Sequence, residues 1–120
     1  MSMARASQSS SLDIKVTSWN VRGRRKLAKL KQVLNRVKYL EYKIVFLQET
    51  HLLAADIHYL RKRWPGQVFD ASHSTYARGV AILVHKSIPF QLIKTIQDPQ
   101  GRYIIVQGNI LSQKKCLWPE

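Results

Sequence analysis

The chain has 120 residues, with 20 Lys and Arg against 7 Asp and Glu, so its formal net charge is +13 and its pI about 10.3. That excess points to a polyanionic partner, while 45% hydrophobic and 22% charged residues fit a chain folding around one core and exclude a solvated basic tail. Cys116 is the only cysteine, which excludes an intrachain disulfide framework and a cysteine-based zinc site and suits a reducing compartment, nuclear or cytoplasmic rather than secreted.

Residues 1–11 lack the apolar stretch of a secretory signal and read as a flexible arm. The arm's Ser-rich, acid-free composition also suits an organellar transit segment, but a single Arg5 and no amphipathic period count against that. Residues 12–120 make the folded part. Ile14, Val16 and Ser18 alternate with Lys15, Thr17 and Trp19, the period of a half-buried strand. From about Arg25, the apolar residues Leu27, Leu30, Val33, Leu34, Val37 and Leu40 recur at spacings of three and four, which predicts a helix. Its other face collects Arg24, Arg25, Lys26, Lys29, Lys31, Arg36 and Lys38. Ile44 to Leu47 is a continuous apolar run, predicting a strand buried on both faces. Leu53, Ile57, Leu60 and Trp64 repeat the helical spacing until Pro65-Gly66 ends it. Strands are then expected over 67–71, 79–85, 91–96 and 102–110, with a turn at Asp98-Pro99-Gln100-Gly101. This order predicts an α/β layered fold. The longest apolar run, Val80 to Val84, is far below the roughly 20 residues that span a bilayer, so no membrane partner is expected.

Asn20 and Glu49 stand at the ends of predicted strands, where α/β folds assemble their sites. A carboxylate emerging from a buried strand must be paired, bound to a metal or exposed at the sheet's mouth; a Mg²⁺ ion would satisfy Glu49, and so would an exposed strand end or a nearby cation. An Asn beside a turn commonly bonds its own backbone, which is the alternative for Asn20. His51, His58, His73 and His85 show no metal-ligand spacing. No Gly-rich phosphate loop or nucleophile motif is present, so no small-molecule cofactor is expected. The acid-free cationic helix face suits phosphate contacts, with Arg22, Arg24, Arg25, Lys26 and Lys29 as candidate nucleic-acid-binding residues.

Val16-Thr17-Ser18-Trp19-Asn20-Val21-Arg22-Gly23 and Ile44-Val45-Phe46-Leu47-Gln48-Glu49-Thr50-His51-Leu52 resemble the endonuclease/exonuclease/phosphatase superfamily. Arg78 to Val84 and Asp98 to Val106 resemble, more narrowly, the N-terminal endonuclease domain of long interspersed (non-LTR) retrotransposons. The resemblance runs from about residue 12 to 110. It implies a four-layer α/β sandwich of the DNase I-like kind, of which this chain is expected to be the N-terminal half, and Mg²⁺-dependent hydrolysis of DNA phosphodiesters as in exonuclease III and apurinic endonucleases. By resemblance Asn20 belongs to the catalytic centre and Glu49 is the principal Mg²⁺ ligand, both contributing to metal binding and catalysis.

The departure lies after residue 110, where the chain reads Leu111-Ser112-Gln113-Lys114-Lys115-Cys116 in place of the family's strand ending in Tyr-Ala-Pro-Asn. The later Asp-x-Asn motif and the terminal Asp-His pair are not in this sequence. The chain by itself is therefore expected to be inactive and to associate with itself through an exposed core. The other readings are a basic nucleic-acid-binding fragment without catalysis, or a degenerate product that does not fold stably.

Overall fold

The computed structural model describes residues 13–21, 26–52, 54–71 and 79–111. The expected arm and the tail after Leu111 lie outside the described residues, as does Cys116. In chain order the elements are β1 (Val16–Asn20), α1 (Lys26–Tyr39), β2 (Ile44–Gln48), α2 (Ala54–Arg63), β3 (Gly66–Ala71), β4 (Val80–His85), β5 (Phe90–Gln97) and β6 (Ile104–Ile110). They form a four-stranded sheet in the order β1-β2-β4-β3 and a two-stranded sheet of β5 and β6. The fold is mixed α/β, as the element order implied.

Local chemistry sets the element ends. Helix α1 closes with Glu41 at φ 62°, while Tyr42 N–H donates to Val37 O at 3.0 Å and Glu41 N–H to Lys38 O at 3.1 Å. This is a Schellman close, which satisfies carbonyls that the helix itself leaves unpaired. Arg36 and Lys38 in the last turn oppose the negative end of the helix dipole, and Lys15 Nζ donates to Leu40 O at 2.6 Å. Beyond α2, Trp64 Nε1 donates to Val84 O at 3.1 Å, and Arg61 reaches across to β3, donating to Val68 O and pairing with Asp70 Oδ1 at 3.0 Å.

Both helices cover one face of the four-stranded sheet. Leu30, Val33, Leu34 and Val37 of α1, with Ile57, Leu60 and Trp64, pack on Val45, Leu47, Val68, Ala81 and Leu83 in a single buried cluster. Each buried Val, Leu or Ile among them contributes about 1.5–3 kcal/mol.

The other face is covered unevenly, and this corrects the expectation for β2. The small sheet packs on β3 and β4, with Phe90 edge-on to Phe69 at 6.0 Å and Gln97 Nε2 donating to Asp70 O. It leaves the β1 and β2 side of that face open. So β2 is not buried on both faces: Val45 and Leu47 are buried while Phe46 is 38% exposed. In β1 it is Trp19 that packs on the core, and Val16 is 50% exposed. The alternation is real, but the aromatic side turns inward because only that side meets the helices.

The small sheet also has a bare outer surface, on which the cross-strand partners Ile96 and Ile105 are both exposed. Among the described residues this is contiguous exposed apolar surface beside an unpaired strand edge, which favours association. The chain is expected to bind a hydrophobic dye and to self-associate at micromolar concentration by light scattering. Ile96→Lys combined with Ile105→Lys should reduce both while changing stability in urea by less than about 1 kcal/mol, since neither side chain is buried. A monomeric, dye-silent wild type would refute this.

Candidate active site

Strands β1 and β2 run parallel with Asn20 opposite Gln48, so both chains leave the sheet at the same end. The ladder extends one step further through Val21 N–H to Gln48 O at 2.9 Å. Glu49 then adopts φ 51°, and its Oε2 accepts a hydrogen bond from Asn20 Nδ2 at 3.0 Å. Both residues are exposed. Glu49 thus lies at an open strand end, and Asn20 bonds this carboxylate 29 positions away in sequence.

Three loops meet behind Glu49. Thr50 N–H donates to Gly79 O at 3.0 Å, Gly79 N–H to Gly101 O at 3.0 Å, and Gly101 N–H to Asp98 O at 2.9 Å. The backbone is unusual at each step: Glu49 and His51 hold φ 51° and 52°, Gly79 124° and Gly101 73°. Non-glycine residues in that region cost of order 1 kcal/mol each and persist only when their surroundings hold them. The loops enclose a pocket of about 330 Å³ lined by Gln48, Glu49, Gly79, Val80, Gly101 and Arg102.

Asp98 and Arg102 anchor the last loop. Asp98 is 3% exposed, and Arg102 Nε meets its Oδ2 at 2.6 Å while Nη2 donates to Oδ1 at 3.2 Å and Arg102 N–H to Oδ2 at 3.0 Å. This bidentate clamp, reinforced by a backbone donor, holds the Asp98 carboxyl well below the usual carboxylate range, the Arg102 side-chain hydrogen bonds being the largest cause. Along the chain 98–101 reads as a turn within a family-like segment, and the local sign of the clamp is an acid and a guanidinium four residues apart across a Gly.

On the other side of Asn20, a recess of about 220 Å³ is lined by Trp19, Asn20, Val21, Lys29, Gln32, Val33 and Arg36. Of the candidate nucleic-acid-binding residues, Lys29 is therefore beside Asn20. Lys26 is the first residue of α1, and its side chain, like Arg22, Arg24 and Arg25, lies outside the described residues. Arg36 joins the recess although it was read only as part of the cationic face.

The donor set suits a hard cation. Glu49 supplies carboxylate oxygen and Asn20 an uncharged amide that holds it, both at a solvent-open mouth, and Mg²⁺ characteristically takes one or two carboxylates with waters and phosphate oxygens. Among the described residues no group of three or more His, Cys, Asp or Glu gathers at one point. His85 sits elsewhere, its Nδ1 accepting from Ser87 N–H at 3.0 Å and its ring against Trp64.

A family model described as the endonuclease/exonuclease/phosphatase family matches residues 17–118. The chain belongs to that family. Its fold is shared with D. rerio TDP2 complexed with single-strand DNA product, at TM-score 0.60 and 23% identity, over 83% of this chain and 42% of that one. TDP2 from C. elegans matches at TM-score 0.57 and 28% identity, over 89% of this chain and 36% of that one. The chain thus spans less than half the length of either structure. Within the family's fold, Asn20 and Glu49 occupy adjacent strand ends on one sheet.

The clamp has a pH signature. Because the folded-state pKa of Asp98 is depressed, its contribution to stability is fully present above the ordinary carboxylate value of about 3.9 and is lost as pH falls through the folded value. Urea unfolding at stepped pH should show the midpoint falling below about pH 4. In Asp98→Asn the midpoint should be lower at neutral pH and its acid-side decline shallower. An acid limb identical in both proteins would contradict this.

Proposed function

We propose that this chain carries one side of a Mg²⁺-dependent centre for DNA phosphodiester hydrolysis, of the retrotransposon endonuclease type, with Glu49 as principal cation ligand and Asn20 as its orienting partner. The observation that carries the reading is the hydrogen bond at 3.0 Å from Asn20 Nδ2 to Glu49 Oε2, made at strand ends beside a recess lined by Lys29 and Arg36. Bound there, the cation would neutralise charge developing on a phosphoryl group. Asn20 holds one carboxylate oxygen in place and adds no charge, leaving the other oxygen directed by the same side chain. Lys29 and Arg36 favour a phosphate backbone approaching from the α1 side. Support for nucleic acid comes from the net charge of +13 and from a fold that holds single-strand DNA product in D. rerio TDP2. The narrower retrotransposon assignment rests on the Arg78 to Val84 and Asp98 to Val106 segments.

A second reading, DNA binding without turnover, is favoured for the chain by itself, because among the described residues no group of three or more His, Cys, Asp or Glu gathers at one point and phosphoryl transfer needs several groups acting as a unit.

Three measurements test these readings. Mn²⁺ binding followed by water-proton relaxation should be lost in Glu49→Gln, while nicking of supercoiled plasmid in Mg²⁺ should stay at background for the chain alone. Binding to duplex DNA should weaken steeply between 50 and 200 mM salt, and Lys29→Glu or Arg36→Glu should each lower the salt slope by about 1. Mn²⁺ binding indifferent to Glu49, or DNA affinity indifferent to salt, would overturn the proposal; Mg²⁺-dependent nicking abolished by Glu49→Ala would overturn the second reading.

A further inference from the structure

We propose that Thr50 and Gly79, backed by the Asp98–Arg102 turn, are positioning residues that set where the Glu49 carboxylate stands. The inference rests on the reading of Glu49 as a cation ligand and deepens it.

The Glu49 side chain is exposed, so packing does not hold it, and its place is set by the Asn20 hydrogen bond and by the backbone beneath. That backbone is in an uncommon conformation on both sides of Thr50, at Glu49 and at His51, and such a conformation needs external restraint. Thr50 supplies it, being 1% exposed and among the largest fully buried side chains. Its main-chain N–H is tied to Gly79 O.

The fit between Thr50 and Gly79 is one of shape. Thr50 Oγ1 is buried without a hydrogen-bond partner among the described residues, and a Cβ built on Gly79 would overlap that oxygen. Gly79 is required twice, by its φ of 124° and by the room Thr50 takes. A buried hydroxyl with no partner is unfavourable, so the side chain's value here lies in its branched volume.

The restraint continues outward. Gly79 N–H is held by Gly101 O, and Gly101 lies in the turn that Asp98 and Arg102 close. Glu49 is thereby referenced to β4 and to the β5–β6 turn as well as to its own strand. A ligand on an otherwise free side chain gains precision from such a supporting layer, and misplacement by about 1 Å is enough to impair a site.

The test reads Glu49's position without metal or turnover. In ¹⁵N-labelled chain, the Asn20 side-chain amide signals report its hydrogen bond to Glu49, with Glu49→Ala marking the broken state; Mn²⁺ affinity is measured in parallel. Gly79→Ala is expected to move the Asn20 signals toward the broken state and weaken Mn²⁺ binding about tenfold. Thr50→Val, which keeps the volume and drops the hydroxyl, should leave both within twofold of wild type. Thr50→Ala, which leaves a gap in place of a clash, should shift the Asn20 signals as Gly79→Ala does and covers the case in which Gly79→Ala does not fold. Unchanged Asn20 signals in Thr50→Ala, or their loss in Thr50→Val, would overturn the proposal. Mn²⁺ binding that Glu49→Ala leaves intact would instead overturn the assignment of Glu49 as ligand, while the amide signals still judge the positioning role.

Discussion

Two parallel strands joined by one helix must deliver their C-terminal ends to the same rim of a sheet, and the site depends on that constraint. Asn20 and Glu49 are 29 positions apart in sequence, yet the β1–β2 ladder leaves them neighbours because Asn20 stands opposite Gln48. The ladder is possible because α1 spans the return with Leu30, Val33, Leu34 and Val37 buried against the sheet. Core packing and site geometry are one arrangement: slipping the register by a residue would turn Val45 and Leu47 out of the core and separate the amide from the carboxylate together.

Around this pair the protein accepts local costs. Uncommon backbone at Glu49, His51 and Gly79, and a buried hydroxyl on Thr50 without a partner among the described residues, gather beside the candidate ligand, Gly79 being brought there by the Thr50 N–H to Gly79 O hydrogen bond. Elsewhere the chain obeys the usual economies, with a Schellman close on α1 and an indole donor satisfied across the core at Trp64. Concentration of strain where a side chain must be aimed is the pattern of functional sites.

Charge and shape divide the surface into distinct regions. Exposed Lys29, Lys31, Arg36 and Lys38 on α1 give a cationic flank that reaches the rim beside Asn20. The inner face over β1 and β2 and the outer face of the small sheet are apolar and open. The first suits phosphate and is weakened by salt; the second suits further protein surface and is strengthened by it. Among the described residues a two-stranded sheet lies over part of a four-stranded one.

Element order, the two helical faces, the strands and the two candidate residues were all legible in the sequence, because periodicity and the Ser18-Trp19-Asn20 and Gln48-Glu49-Thr50 strings are local. The inward side of β1 was not: Val16 and Trp19 both have apolar character, and only the position of α1 decides that Trp19 is covered and Val16 is not. Nor was the one-sided burial of β2, since a continuous apolar run does not say how far a second layer extends. The roles of Thr50, Gly79, Asp98 and Arg102 were hidden for the same reason. Each looks like an ordinary loop residue along the chain, and each acquires its part only when three loops, separated by tens of residues, are brought into hydrogen-bonding distance. Residue type and spacing determined what this chain could make locally; tertiary contact alone decided which side chains are aimed, because aim is set by the neighbours that a backbone meets and not by those that it follows.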